Sequence, residues 1–320
     1  MSWFFYAFIC VIGWGVADLF YKKGTDEKDG FSQYKIAVWV GLVMGVAALI
    51  LLPFSETVKT CGSLFESAFK YLPASLGYII SMVIGYAGLR YLEVSVVSPV
   101  QNSSGALSAI VMVVFFLVSG KEIDNTALDY IGAGVIVAGV IALAIVEQRL
   151  SQREKSLKVK EEEKKYRLGA LALLFPILYC VFDTVGTAAD GIILDEEVGL
   201  GLGEIDVLII YGLTFMAAGI VCWIYMLIKQ KKAYNPFSKR ELTKGAAAIA
   251  EEFGQVFYVF AMGANPVLAA PVIASYCVVS VILSRAFLKE KLKLSQYVCV
   301  FAVIIGIIII GISDGLKEIA

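Results

Sequence analysis

The chain is a succession of apolar stretches, most of them about 20 residues long, separated by short polar breaks. At about 1.5 Å of rise per residue, a helix of that length crosses a hydrocarbon core of about 30 Å. The pattern predicts ten such spans, over 3–22, 32–52, 70–89, 94–118, 128–147, 168–194, 205–228, 245–263, 266–288 and 292–312. Asn265-Pro266 supplies the tight turn that separates the eighth from the ninth. One break differs in kind. Gln148–Arg167 sets Glu154, Glu161, Glu162 and Glu163 among eight Lys or Arg, which no membrane helix would hold. It is expected to be a solvated connector, helical in part. It leaves a first five-helix unit over 1–147 and a second over 168–320. The fold class expected is an all-α polytopic membrane protein.

Composition agrees: 59% of the residues are hydrophobic and only 17% charged, against roughly a quarter in a soluble domain. Lys and Arg (27) nearly balance Asp and Glu (28), so there is no basic footprint for a nucleic acid. Histidine is absent, which removes the commonest general base and metal ligand. The six cysteines form no CxxC, so neither a metal site nor a disulfide framework is signalled, and no cofactor is expected. Met1-Ser2-Trp3-Phe4-Phe5 has no basic stretch and no small-residue cleavage pattern after it, and is read as the start of the first span.

Where the charges lie sets the orientation. Counting residues at span ends, the odd-numbered connections carry 4, 1, 8, 6 and 4 Lys or Arg, which is 23 of the 27. The other side holds only Lys59, Lys70, Lys121 and Lys317, and its loop Asp195-Glu196-Glu197 to Glu204 is wholly acidic. The positive-inside bias therefore places the connector in the cytoplasm and both termini outside.

The halves echo each other. Ser98-Pro99-Val100, Gly120-Lys121-Glu122 and Gly139-Val140 are answered by Ala270-Pro271-Val272, Leu288-Lys289-Glu290 and Gly306-Ile307. With five spans each, the two copies would have opposite orientations, and such inverted repeats place a substrate site near the bilayer midplane between them. In these features, and in Trp14-Gly15, the chain resembles the drug/metabolite transporter superfamily and its EamA-like ten-span branch. The resemblance implies an exporter or exchanger of a small metabolite or drug in a bacterial cytoplasmic membrane. That family is often drawn with cytoplasmic termini; the loop charges here argue for the opposite.

An acidic side chain at the centre of a membrane helix costs roughly 2.5–3.5 kcal/mol on insertion scales, so each calls for a reason. In the sixth span Tyr179, Asp183, Thr187 and Asp190 share one helical face. In the eighth, Glu251, Gln255 and Tyr258 form a stripe with Glu252 beside it. The first span offers Trp14, Asp18 and Tyr21; the third, Tyr78, Ser81 and Tyr86; the fourth, Gln101 to Gly105; the ninth, Ser275, Tyr276, Ser280 and Ser284. No interior Lys or Arg stands ready to pair with these acids. A substrate site is therefore expected among Trp14, Tyr78, Asn102, Tyr179, Asp183, Glu251, Glu252, Gln255, Tyr258 and Tyr276. Glu251, Glu252 and Asp183 are the candidates for proton coupling. The same acids could instead be neutral and hydrogen-bonded, holding helices together. Asp18 and Asp190 stand near enough to an interface to be merely solvated. Trp3, Trp39, Trp223 and Tyr225 fit an interfacial belt better than a site. Gly41 and Gly45 form a GxxxG that serves either close packing or dimerisation, so a monomer or a weak dimer is expected.

Three classes of function remain. The first is a secondary transporter of an amine or other cation, coupled to protons or working by exchange; neutral or zwitterionic metabolites such as amino acids stand close behind. The second, a membrane-embedded acid/base enzyme, would have to rest on Asp183 with Asp190 or on the Glu pair. The third is a channel or scaffold, for which no filter or ring of charge is visible. The chain lacks the phosphate-binding GxxxxGK[ST] loop, so a gradient and not nucleotide hydrolysis would drive transport.

Overall fold

The computed structural model describes residues 2–24, 29–55, 57, 60–88, 103–158, 174–200, 202–231, 233–288 and 292–319. Among these residues the protein is a helical bundle without strands: α1 Trp3–Gly24, α2 Ser32–Leu51, α3 Cys61–Gly88, α4 Ser104–Val118, α5 Ala127–Lys158, α6 Leu174–Ile193, α7 Glu204–Gln230, α8 Leu242–Ala264, α9 Pro266–Ala274, α10 Tyr276–Leu288 and α11 Leu294–Ile319. Eight segments are long and apolar enough to cross a membrane, and they correspond to the first, second, third, fifth, sixth, seventh, ninth and tenth expected spans. The expected fourth span is described only from Ser103 on, as the shorter apolar helix α4. The expected eighth is α8, which carries Lys244, Glu251 and Glu252 and is correspondingly less apolar.

The ninth span is not one helix. Pro271 lacks an N–H and crowds the turn before it, and the ladder tightens behind it. The Ser275 N–H reaches back only to the Val272 carbonyl (3.0 Å) and the Val278 N–H only to that of Ser275 (2.9 Å). The chain therefore passes from α9 to α10 at Ser275. The connector is helical in part, as expected: α5 continues through Lys158, so the first part of 148–167 is a helical extension of the fifth span.

The helices associate in five antiparallel pairs: α1 with α8, α2 with α7, α3 with α6, α4 with α9, and α5 with α11. In lipid, apolar surface alone gives helices little reason to pair, so close backbone approach through small residues has to supply the contact. A Cβ on Gly13 would stand 2.9 Å from the Gly254 Cα, and one on Gly77 would stand 2.8 Å from the Gly186 Cα. Gly41 meets the Phe215 carbonyl and Gly219, and Gly45 meets Met216. That GxxxG therefore joins α2 to α7 inside the bundle. The outer faces remain apolar, with Ile50, Phe69, Ile228 and Phe301 exposed. This suits an integral membrane protein whose solvent on that side is lipid.

Candidate functional site

Charged pairs lie at the two ends of the bundle. Taking the end where α1 begins as the upper one, Lys121 pairs with Asp195, Lys317 stands 3.0 Å from Asp129, and the Asn265 amide donates to Asn125 at 3.1 Å. Burial raises the Asp195 carboxyl, but the Lys121 ammonium and the Val198 and Glu197 N–H groups outweigh it and hold it below the ordinary carboxylate range. At the lower end Lys35 bridges Asp29 (2.7 Å) and Glu241 (3.6 Å), and Lys244 stands 2.7 Å from Glu241. There too burial raises the Glu241 carboxyl, and its two lysine neighbours more than reverse the effect.

Between these ends the polar groups are of another kind. Antiparallel pairing with α1 brings Glu251, on α8, to the Tyr21 hydroxyl, which donates to its carboxylate, while the Trp14 indole N–H reaches the Glu251 carbonyl at 3.3 Å. On α6, Asp183 faces Ser81 at 3.5 Å and also Ser104. About two turns further up, Asp190 accepts a hydrogen bond from the Tyr71 hydroxyl. Asp18 of α1 accepts one from Ser280 of α10. Asp183, Asp190 and Glu251 are buried, at 9%, 4% and 6% exposure, and no ion pair among the described residues holds any of them.

Aromatic rings from five helices fill the same level. Trp14 stacks on Tyr258 with centroids 5.2 Å apart, meets Tyr276 edge-on at 5.8 Å and lies 6.3 Å from Tyr78. Tyr78 continues the cluster to Tyr211 (5.8 Å) and Phe215 (5.9 Å) of α7, and Tyr71 is 6.3 Å from Tyr211. The small residues at the helix crossings set these rings in place. Gly254 leaves the space occupied by the Trp14 ring, since a Cβ there would stand 2.3 Å from Trp14 Cδ1. Several polar atoms in this layer are buried without a well-directed hydrogen bond among the described residues: the Tyr211 and Tyr258 hydroxyls, the Thr184 hydroxyl, and both the oxygen and the nitrogen of the Gln255 amide.

Of the residues singled out in the sequence, Trp14, Tyr78, Tyr258 and Tyr276 come together in one ring cluster. Asp183, Glu251 and Gln255 are buried in the bundle interior with it. Glu252 is half-buried beside Glu251, and Tyr179 is half-buried one turn before Asp183. Asn102 lies outside the described residues, as does Gln101. Two expectations need correction. Asp190 is not solvated near an interface but sealed against Tyr71. Trp39 does not belong to a lipid-facing belt: it is 6% exposed, packs on Gly245 and meets Phe237 edge-on at 5.6 Å. Tyr71, Tyr211 and Phe215 were not singled out. Val207–Phe215 reads as plain apolar core, and only the contact of α7 with α3 turns Tyr211 toward the carboxylates.

Residues 198–312 match the family model of the EamA-like transporter family. The fold matches 28 solved chains. One of them, a crystal structure of a protein 13% identical in sequence, superimposes with a TM-score of 0.65 over 98% of this chain and 98% of its own. No curated protein sequence matches.

Proposed function

We propose that this chain, whose residues 198–312 match the EamA-like transporter family, is a secondary-active carrier for a small organic amine or other cation, exchanged against protons. That match supports a membrane transporter of the drug/metabolite type, and the substrate class rests on one observation. Three buried carboxylates without a cationic partner among the described residues, Asp183, Asp190 and Glu251, share the bundle interior with the rings of Trp14, Tyr78, Tyr258 and Tyr276. Burying an ionised carboxylate without a counter-charge is costly, so each either holds a proton or attracts a cation. The ring faces favour an ammonium group over an anion. A phosphorylated substrate would find no interior Lys or Arg among the described residues to hold it.

Exchange follows from competition. One carboxylate cannot hold a proton and an ammonium group at full strength at once, so binding either one releases the other. In this reading Glu251, with Glu252 beside it, and Asp183 take the alternating load. The Tyr21 hydroxyl satisfies Glu251 while it waits as an anion.

The helix pairing supports ten spans arranged as two inverted five-helix repeats, over 1–147 and 168–320. If each span of the first half corresponds to the span five places later, a two-fold axis must pair the second with the seventh, the fourth with the ninth and the fifth with the tenth, and must exchange the first–eighth pair with the third–sixth pair. The observed partners follow that rule: α2 with α7, α4 with α9, α5 with α11, and α1 with α8 beside α3 with α6. The Gly13–Gly254 and Gly77–Gly186 crossings are then counterparts. The aromatic layer falls near the axis, and rocking of the halves around it gives alternating access. By the loop charges the lower end is cytoplasmic and both termini are outside. The carrier would sit in a bacterial inner membrane and take only lipid and its substrate as partners.

Uptake of a radiolabelled arylalkylamine into proteoliposomes, driven by an acid-inside pH gradient, tests the reading. Wild-type protein accumulates the amine and dissipates the gradient. A Glu251→Gln, Glu252→Gln protein is expected to lose gradient-driven uptake, and unchanged pH-dependent transport by that variant would refute the coupling. A second reading, a neutral or zwitterionic substrate, is favoured by Gln255, whose amide has both its donor and its acceptor unused. Gradient-driven uptake of neutral amino acids but of no amine would establish it.

A further inference from the structure

The part of the interior around Asp190 has a composition of its own. Asp190 is set apart from Glu251 by position: Asp190 lies toward the upper end of α6, Glu251 toward the lower end of α8. Three tyrosines approach Asp190 from three other helices. Tyr71 of α3 donates its hydroxyl to Oδ1. Tyr258 of α8 lies beside the carboxylate, yet its hydroxyl completes no well-directed hydrogen bond. Tyr211 of α7 stands within electrostatic reach of the carboxylate and its ring lies 6.3 Å from that of Tyr71, and its hydroxyl also has no partner among the described residues. Both of these phenols are almost completely buried, at 3% and 2% exposure. From α4 and α9, Met112 and Pro266 pack on Gly191 beside this site. The lysines described at this end are committed elsewhere: Lys121 to Asp195, Lys317 to Asp129 and Lys70 to Glu66.

A buried hydroxyl left without a partner forfeits the hydration it would have had in water. Two of them next to a buried anion call for a group that satisfies all three at once. The remaining acceptors are the second carboxylate oxygen of Asp190 and the two phenol oxygens. A primary ammonium group has three N–H donors and one positive charge, and so matches that set in number and in sign. A quaternary ammonium group has the charge and no donors. It would leave both hydroxyls as they are.

We propose that Asp190, Tyr211 and Tyr258 form a primary-ammonium site at the upper level of the bundle, which selects substrates with an unsubstituted –NH3+ group. Tyr71 positions Asp190 and leaves one of its oxygens available. The rings of Trp14, Tyr78 and Phe215 next to this site would take the apolar body attached to the nitrogen. The inference rests on the cationic substrate class proposed above and narrows it.

Isothermal titration of the full-length protein in detergent with 2-phenylethylamine and with its N,N,N-trimethyl derivative tests the assignment. The primary amine is expected to bind at least tenfold more tightly. Tyr211→Phe and Tyr258→Phe retain the rings and remove only hydroxyls that complete no well-directed hydrogen bond among the described residues, so the melting temperature should hold or rise. Each is expected to weaken the primary amine about tenfold and to leave the trimethyl compound unchanged. Asp190→Asn should weaken both compounds. Equal affinity of wild-type protein for the two amines would overturn the site, as would insensitivity of the primary amine to both phenylalanine variants, while the broader amine reading would stand. Binding of neither amine would overturn both readings. Stabilisation by sodium ions alone, lost in the same variants, would reassign the oxygens to a metal cation and equally reject the ammonium site.

Discussion

At the scale of single residues, the protein separates two treatments of buried charge. At the ends of the bundle acids meet lysines; in the interior they meet hydroxyls. Asp195 represents the first kind. Its carboxyl is held below the ordinary range by Lys121 and two backbone N–H groups despite burial, so folding favours the ionised form. A depressed carboxyl contributes stability above its unfolded pKa of about 3.9 and loses it as the pH falls through the folded value. The melting temperature of wild-type protein should therefore drop more steeply between pH 5 and pH 3, in round numbers, than that of Asp195→Asn, as read by a thermal melt in detergent. Parallel slopes would mean that the pair is idle. Glu251 represents the second kind. Removing its partner with Tyr21→Phe deletes one hydrogen bond to a charged or protonated carboxyl, a loss of about 1–3 kcal/mol. A melting temperature equal to wild type would show that the hydroxyl does not hold the acid in solution.

Single helices are defined here by their crossings more than by their propensities. Gly77 and Gly186 let α3 and α6 approach until backbone meets backbone, and that approach sets the Ser81–Asp183 and Tyr71–Asp190 contacts on either side of it. Gly77→Val has no flexible side chain to push aside and must drive the two helices apart. A destabilisation of about 1–3 kcal/mol is expected, together with loss of amine binding, because both carboxylates lose their hydroxyls. Gly254→Ala is a smaller change aimed at one ring. The new methyl would meet Trp14 at 2.3 Å, so amine affinity should fall further than stability. Binding isotherms and melts on the same preparations separate the two effects. The break at Ser275 belongs to this scale as well: Pro271 is visible in the sequence, but whether a proline bends a helix or ends it depends on what packs behind it.

For the molecule as a whole, the antiparallel pairing and the alternating loop charges make one prediction about sidedness. In a cysteine-free background, a lone cysteine replacing Lys155 in the connector should react with a membrane-impermeant maleimide only in inside-out vesicles. A cysteine replacing Glu196, in the acidic loop after α6, should react only in right-side-out cells. The opposite pattern would invert the assignment of the termini and leave the bundle itself untouched.

By itself, the sequence determined the number of apolar runs, their approximate limits and the charged connector at 148–167, because the cost of placing charge or unpaired backbone in hydrocarbon acts on each segment locally. It also exposed the interior acids, since Asp183 and Glu251 interrupt runs that are otherwise apolar. It did not show what those acids touch. Asp190 looked solvated and Trp39 looked interfacial because depth along a helix was all that one span could report. Tyr71 and Tyr211 looked like ordinary aromatic positions for the same reason. Which face of α7 meets α3, and therefore which phenols surround a carboxylate on α6, is a matter of rotation and crossing. Glycines on two helices far apart in the chain fix that rotation together, and only the tertiary structure brings them to the same point.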